Sequence, residues 1–483
     1  LNSARQLTDS SNPSDIHARA VGKIWKDGKL TEPFARILER LTSPDKLSKE
    51  FFDSKCLTCH AGIQASGDNA RLIGRPESEF STDLKSTLSK DAIGCEACHG
   101  RGSNYVNIHT SAWWLKQSVS NKLTYGFYDL ENSAIAAQVC LSCHLGSPEE
   151  SKFVTHEMYA AGHPPLPPFD LAKFLESTCE KHWQELGDKS AQWSKAPSNN
   201  DLARVEYLQN HFQSSSDPSQ SNPSIQPPSL QMLDEGIQRH FRKTQQSLVG
   251  QLTATLMSHD LLQHTANSET QWGDYAIYDC VGCHQVLYKS IRGSFGQAGR
   301  VPGRPQGLLW TKPADASLKL SEITGLDTLQ TQIDAQLNAV PFGSKTGVQA
   351  ALADYASRRQ SASLQLVQRS RVSLNQEDAD QWVRQYLSER RNLLGNEWVA
   401  KQVFWTLEAY FDDLERFAEK FPQTKPKSLG LLEKFRTLFS AAPPISRIVS
   451  CEPIVNDARE RIDDAEFFLE LRIFIDEFLG NQL

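Results

Sequence analysis

Four times in this sequence two cysteines stand three positions apart with a histidine directly behind the second. The segments are CLTCH (Cys56, Cys59, His60), CEACH (Cys95, Cys98, His99), CLSCH (Cys140, Cys143, His144) and CVGCH (Cys280, Cys283, His284). They use eight of the ten cysteines in a 483-residue chain that has 13 histidines. Four such coincidences have a chance probability on the order of one in a million.

Two thiols one short turn apart reach the two vinyl groups along one edge of a haem and form thioethers, and the adjacent imidazole then reaches the iron. Each motif therefore reads as a c-type haem attachment site, and the chain as a carrier of four covalently attached haem c groups. A zinc ribbon is complete with four cysteines and gives no reason for a histidine behind every pair. A thioredoxin-like centre has one CxxC near a βαβ pattern, and a disulfide framework belongs to a short chain.

An iron held by one imidazole keeps an open sixth position, whereas a second histidine closes it and favours electron transfer over substrate binding. Nine histidines lie outside the motifs. In THEMYAAGHPPL, His156 and His163 are seven apart, which on a helix puts them on one face about 10.5 Å apart, enough to serve two neighbouring haems. Gly162 and Pro164-Pro165 stop that helix, with His163 at its C-terminal end. The other reading is two surface histidines on an amphipathic helix. His109 lies amid aromatic residues in SNYVNIHTSAWWL, and His17 begins an amphipathic helix ahead of the first motif; ordinary hydrogen-bonded histidines are the alternative for both. His259 and His264 are reserve candidates, His182 and His211 weaker ones. With only Met158, Met232 and Met257 in the chain, mostly bis-histidine ligation is expected.

The formal charge of −7 and the pI near 6.0 argue against a nucleic-acid binder. No apolar run approaches the roughly 18 residues of a membrane-spanning helix, so no transmembrane segment is expected. The opening LNSARQLTDSS has no initiator Met, basic region or apolar region and reads as a processed N-terminus. Haem c is attached outside the cytoplasm, so a periplasmic or extracellular location is expected.

Short helices and loops surround the motifs, for example TSPDKLSKEFF with Ser43 as N-cap and Pro44 at the first helical position. Residues 213–230, QSSSDPSQSNPSIQPPSL, mark a solvated linker or loop. The expected organisation is a haem region over 1–212, this linker, a helix (about Leu233 to Ala266) and fourth-haem segment over 231–316, and a helical region over 317–483. Trp272, Tyr275 and Tyr278 are placed to pack on the fourth haem; Arg300 and Arg304 either pair with a propionate or sit on a surface loop. In NEWVAKQVFWTLEAYFDDLERF, Ala400, Val403, Leu407, Tyr410, Leu414 and Phe417 form an apolar stripe at helical spacing. The C-terminal region reads as a bundle of four or five helices, the last with Asn456 as N-cap. Cys179 and Cys451 either form a disulfide or stay as free thiols. The fold class is mainly α, a multihaem cytochrome c domain plus a C-terminal helical bundle.

The segments IGCEACHG and THEMYAAGHP resemble the cytochrome c-554 family of tetrahaem electron carriers. YGFYDLENSAIAAQVCLSCHLGSPEE, HEMYAAGHPPL, YDCVGCHQVL and GRVPGRPQ are more closely similar to uncharacterised multihaem cytochromes frequent in planctomycetes. The likeness spans about Asp15 to Gln306 and leaves out the C-terminal helices. It implies a mainly helical fold with haems in stacked pairs, and His17, His109, His156 and His163 as distal ligands. Here the first motif follows IHARA, whereas the cytochrome c-554 family places its comparable histidine after that motif. The interval before the fourth motif also differs.

The leading expectation is an electron relay between a redox-protein donor and acceptor, with no catalytic residue. One alternative is a nitrogen-oxide redox enzyme (nitric oxide, hydroxylamine or nitrite) at one five-coordinate haem, with Glu96, Tyr275 or Tyr278 as acid–base groups. The other is a subunit of a larger respiratory complex, cytochrome polymer or homo-oligomer, docked through the C-terminal helices.

Overall fold

The computed structural model describes residues 17, 20–26, 29–41, 56–61, 93, 95–100, 102–150, 152–164, 166, 169–175, 241–268, 272, 274, 326–337, 339, 343–370, 374–391, 394, 397–421, 429–440 and 464–480. The fourth motif, Tyr275, Tyr278, Arg300, Arg304, His182, His211, Cys179, Cys451, Ser43, Pro44, Asn456 and the 213–230 segment lie outside them.

The described residues are mainly helical. The N-terminal part holds one antiparallel ladder, β1 (Trp25–Lys26) with β2 (Lys29–Leu30). Asp27-Gly28, between them in the sequence, is a pair with a strong preference for a two-residue hairpin turn. Among the described residues the first α-helix is α1 (Glu32–Leu41), and His17 sits at a turn before a single 3-10 turn over Val21–Lys23 rather than on an α-helix that runs on through residues 20–26. The expected helix at His17 is corrected accordingly.

Six helices follow in the haem-motif region: α2 (Thr58–His60), α3 (Cys95–His99), α4 (Ala112–Leu115), α5 (Val119–Thr124), α6 (Ser133–His144) and α7 (His156–Ala161). Then come α8 (Arg242–Asn267) and seven C-terminal helices: α9 (Leu326–Leu337), α10 (Lys345–Ala351), α11 (Tyr355–Arg369), α12 (Gln376–Arg390), α13 (Glu397–Lys420), α14 (Leu429–Ser440) and α15 (Asp464–Gly480). The described residues of this region thus hold seven helices where four or five were expected. The added ones include α10, one short helix whose Ser344 N-cap accepts a hydrogen bond from Gly347 N at 3.0 Å, too brief to register as a periodic stripe.

Helix α8 is the axis of the molecule, packing against α6 on one side and α10, α11 and α13 on others. Its burial all round does not match its polar composition until the hydrogen bonds are traced. Thr253, Thr255 and Ser258 donate back to the carbonyls of Val249, Gln251 and Ala254, at 2.9, 3.1 and 2.7 Å. Ser247 donates to Asp170 at 2.5 Å and contacts Thr406, to which Gln251 also donates. At Gly250 the chain of residues 169–175 comes so close that a Cβ would lie 2.8 Å from Leu171 Cβ.

The apolar stripe of α13 is buried as expected, with Ala400, Val403, Leu407, Tyr410 and Leu414 each at 0% exposure. Against it pack Phe435 of α14 and Phe474 and Phe478 of α15, with Phe411 in ring contact with all three. Tyr410 donates to Asp380 at 2.5 Å, and Arg384 donates to the same carboxylate. Among the further contacts that join the C-terminal helices to the rest are Asn132 to the Val367 carbonyl at 2.8 Å, Lys173 to Glu408 at 2.9 Å and Lys243 to Asp412 at 2.8 Å. No described helix is long and apolar enough to cross a membrane.

Asp413, on the α13 face that meets α8, accepts from Thr244 N and Oγ1 at 2.8 and 2.9 Å. Burial outweighs these bonds and pushes its pKa up to about 7; Asp170 is pushed up to about 6 for the same reason. An unfolded aspartate titrates near 3.9, so from about pH 4 to 7 the folded chain holds a proton at Asp413 that the unfolded chain has lost. The stability from this group is thus present below pH 4 and lost as pH rises through 7. Asp413→Asn removes the titration: between pH 5 and pH 8 the stability of D413N relative to wild type should rise on the order of 2 kcal/mol. Denaturant unfolding at the two pH values measures this, and a constant difference refutes it.

Candidate functional site

The third motif occupies the end of α6. Asn132 caps that helix, accepting from Ala134 N and Ile135 N at 3.1 and 3.3 Å. Beyond its end the chain reverses at Gly146, whose φ of +138° and closeness to the Lys152 carbonyl (2.8 Å from a Cβ there) suit glycine. The reversal returns Lys152 beside Ser142, with Nζ to Oγ at 3.4 Å. The His144 ring is walled in by Phe174 and Phe169, centroids 4.8 and 6.4 Å away. Loss of hydration, then the nearby His17, lowers its pKa to about 4. The imidazole is therefore neutral at pH 7, the form that ligates a metal.

The first motif lies on one helical turn whose Cys56, Leu57 and Thr58 are buried. Desolvation brings His60 to about 4 as well, and its Nδ1 sits 3.3 Å from the Ala20 carbonyl. That contact makes Nδ1 the protonated nitrogen and leaves Nε2 with a lone pair for a ligand. The Cys59 and Cys143 thiols hydrogen-bond to each other, which brings the two motifs side by side; the bond raises the Cys59 thiol and lowers that of Cys143 to about 6, with Lys152 acting in the same direction on Cys143.

Opposite each of these two imidazoles stands a second one. His17 faces His144 with ring centroids 6.3 Å apart and planes at 82°; His163 faces His60 at 6.4 Å and 77°. Two imidazole nitrogens each about 2.0 Å from a shared transition metal, with each ring centre roughly 1.1 Å further back, would put the centroids about 6.2 Å apart. His163 Nδ1 is 2.7 Å from the Pro164 carbonyl, again leaving Nε2 as the ligand atom, and desolvation lowers its pKa. Nowhere among the described residues do three His, Cys, Asp or Glu side chains converge. The arrangement is instead two pairs of imidazoles beside cysteines.

His156 and His163 do not share a helix. Thr155 caps α7, accepting from Met158 N at 3.4 Å, and the helix ends at Ala161. Gly162 takes φ +116° and His163 N closes back onto the Met158 carbonyl at 2.9 Å, turning His163 off the helix and towards His60. His156 stays at the other end, its N–H donating to Asp274 at 3.0 Å, on the approach to the fourth motif.

At the second motif, Glu96 accepts from Gly102 N at 2.6 Å and so holds the loop after the helix. Tyr105 donates to the carbonyls of His99 and Gly100 at 2.7 and 3.0 Å, and Phe127 stacks on the His99 ring at 5.6 Å. His109 is exposed, with Nδ1 2.6 Å from the Val106 carbonyl, and its ring meets no motif histidine among the described residues.

The two reserve histidines take other roles. His259 is a core residue, Nε2 2.7 Å from Gln330 and its ring edge-on to Tyr355. His264 contacts Phe153 and lines a polar cavity of about 340 Å³ that also holds the Asp260–Arg359 ion pair. Trp272 packs partly buried against the α8–α11 core. Sequence reasoning missed the Phe169–Phe174 wall, Lys152 and the Ala20 carbonyl; a backbone acceptor leaves no trace in a sequence.

No family model, curated protein or solved structure matches this chain.

Proposed function

We propose that the chain is an exported tetrahaem c-type cytochrome of the multihaem kind its motifs resemble, relaying electrons between redox-protein partners in the periplasm or outside the cell. The observation that carries this reading is the pair of facing imidazoles at 6.3 and 6.4 Å, each combining one CxxCH histidine with one histidine distant in sequence. Bound there, haem would supply a one-electron couple. The residues that would hold the iron at two of the sites are His144 with His17, and His60 with His163. Backbone carbonyls orient His60 and His163 through Nδ1, and Phe169 and Phe174 exclude water from His144. Cys56, Cys59, Cys140 and Cys143 are the attachment thiols of these two sites; Cys95 and Cys98 with His99, and Cys280 and Cys283 with His284, serve the other two. Such closed sites suit outer-sphere transfer rather than bond chemistry, and the neighbouring Cys59 and Cys143 set two of them side by side.

Intact-mass measurement of chain matured with haem attachment should give four haem additions, and ferric EPR should be dominated by low-spin signals. Fewer than four additions would sink the cytochrome reading. A mainly high-spin spectrum that changes with nitric oxide would replace the relay with the enzyme.

A further inference from the structure

We propose that the surface formed by residues 97–128, around the second motif, is the docking site for an acidic electron-transfer protein, centred on Leu115, Lys116, Lys122 and Leu123. The inference rests on reading that motif as a haem site. From Ala97 to Tyr128 the sequence has no Asp or Glu and carries Arg101, Lys116 and Lys122, in a chain where 58 acidic residues outnumber 51 basic ones. The same stretch holds Val106, Leu115, Leu123 and Tyr128, exposed by 38, 66, 40 and 42%. The other exposed large apolar side chains among the described residues are in the C-terminal region, Phe421 just past α13 and Leu469 and Ile473 on α15. A basic, apolar surface on an acidic protein is therefore concentrated in one stretch.

The outward aim of these side chains is imposed by a rigid layer beneath. Ser111 caps α4, accepting from Trp114 N at 3.1 Å, and Ser118 caps α5, accepting from Asn121 N at 3.2 Å. Asn121 donates to Gln117 at 3.0 Å, bracing the connection. Trp114 turns inward, 5.2 Å from Tyr105 and 5.6 Å from Tyr125, which leaves its helix neighbour Leu115 outward. Lys122 lies with Nζ 5.8 Å from the Trp114 ring, on the same side chain that anchors α4.

That aromatic layer continues to the motif. Phe127 contacts Trp114 at 5.9 Å and stacks on His99, while Tyr128 N donates to the His99 carbonyl at 3.1 Å. A partner seated on Leu115 and Leu123 is thus one layer of rings from His99. An apolar centre with a charged rim is the make-up of small transient interfaces, and rim charges govern encounter rate and its salt dependence. The sign of the rim fixes the sign of the partner.

Stopped-flow reduction of the four-haem protein by reduced flavodoxin, a small acidic protein, is the test. The wild-type rate should fall about tenfold from low to high salt, although the chain's net charge predicts a rise. K116E/K122E should lose about tenfold at low salt and little at high salt, whereas K420E/R472E, with the same change in net charge, should stay at the wild-type rate. Leu115→Ser should lower the rate at both salts. A wild-type rate that rises with salt, or equal losses in the two charge pairs, overturns the docking surface. Haem content measured first separates the cases: fewer than four haems defeats the cytochrome reading, and four haems with unmoved salt dependence defeats this surface alone.

Discussion

Replacing His17 by alanine is expected to turn one iron in four from low spin to high spin and to let the reduced protein bind carbon monoxide at that site. His163→Ala should do the same at a different iron, and the double variant at two. The expectation follows from the facing pairs, His17 with His144 and His163 with His60. Removing one imidazole opens a sixth position, and open positions bind small ligands where closed ones do not. The covalent attachment is untouched, so intact mass should still give four haems in every variant. Ferric EPR and the carbon monoxide difference spectrum read the outcome. If H17A kept the wild-type spin state, the assignment of His17 to the third motif would be wrong. His156→Ala is the internal contrast: with its N–H tied to Asp274, it should leave the first and third sites unchanged.

Gly250→Val should cost about 1–3 kcal/mol and weaken the third site with it. A Cβ at position 250 lies 2.8 Å from Leu171 Cβ, and Leu171 N and Phe169 Cε1 are next at 3.4 and 3.6 Å. The neighbours are backbone and a packed ring, so relief requires moving residues 169–175 away from α8. Those residues carry Phe169 and Phe174, the wall behind His144. An alanine regains about 1 kcal/mol of helix propensity and should fall between valine and wild type. Denaturant midpoints together with carbon monoxide access at the third haem give both halves of the result. A valine variant as stable as wild type would mean that the segment yields freely.

Much of the architecture is legible before any coordinates. The stripe from Ala400 to Phe417 announces α13 because its apolar residues recur at a helical interval, and all but the half-buried Phe417 end up fully buried. Helix α8 is a harder case: its core positions include Ser247, Gln251, Thr255 and Ser258. A polar residue reads as surface until its partner is known, and here the partners are carbonyls one turn back or residues far along the chain, such as Asp170 and Thr406. Near the ligands, Gly162 signals the stop of α7, yet the direction in which it sends His163 depends on a left-handed turn and on what lies beyond. His17 is the reverse case, a ligand candidate taken for a helix start when the hairpin and α1 lie further on.

What the sequence by itself determined is local: four CxxCH motifs, because their two thiols and imidazole are all within five consecutive residues, and the helical stripes of the segments that form α13 and α15. The tertiary structure decided which remote histidine stands across from which motif. A distal ligand belongs to no turn and no period; it is delivered by the packing of α1 against α7 and by a reversal at Gly162. Only folding brings His163 to His60 and His17 to His144, because the distance that matters lies between segments about a hundred residues apart or more.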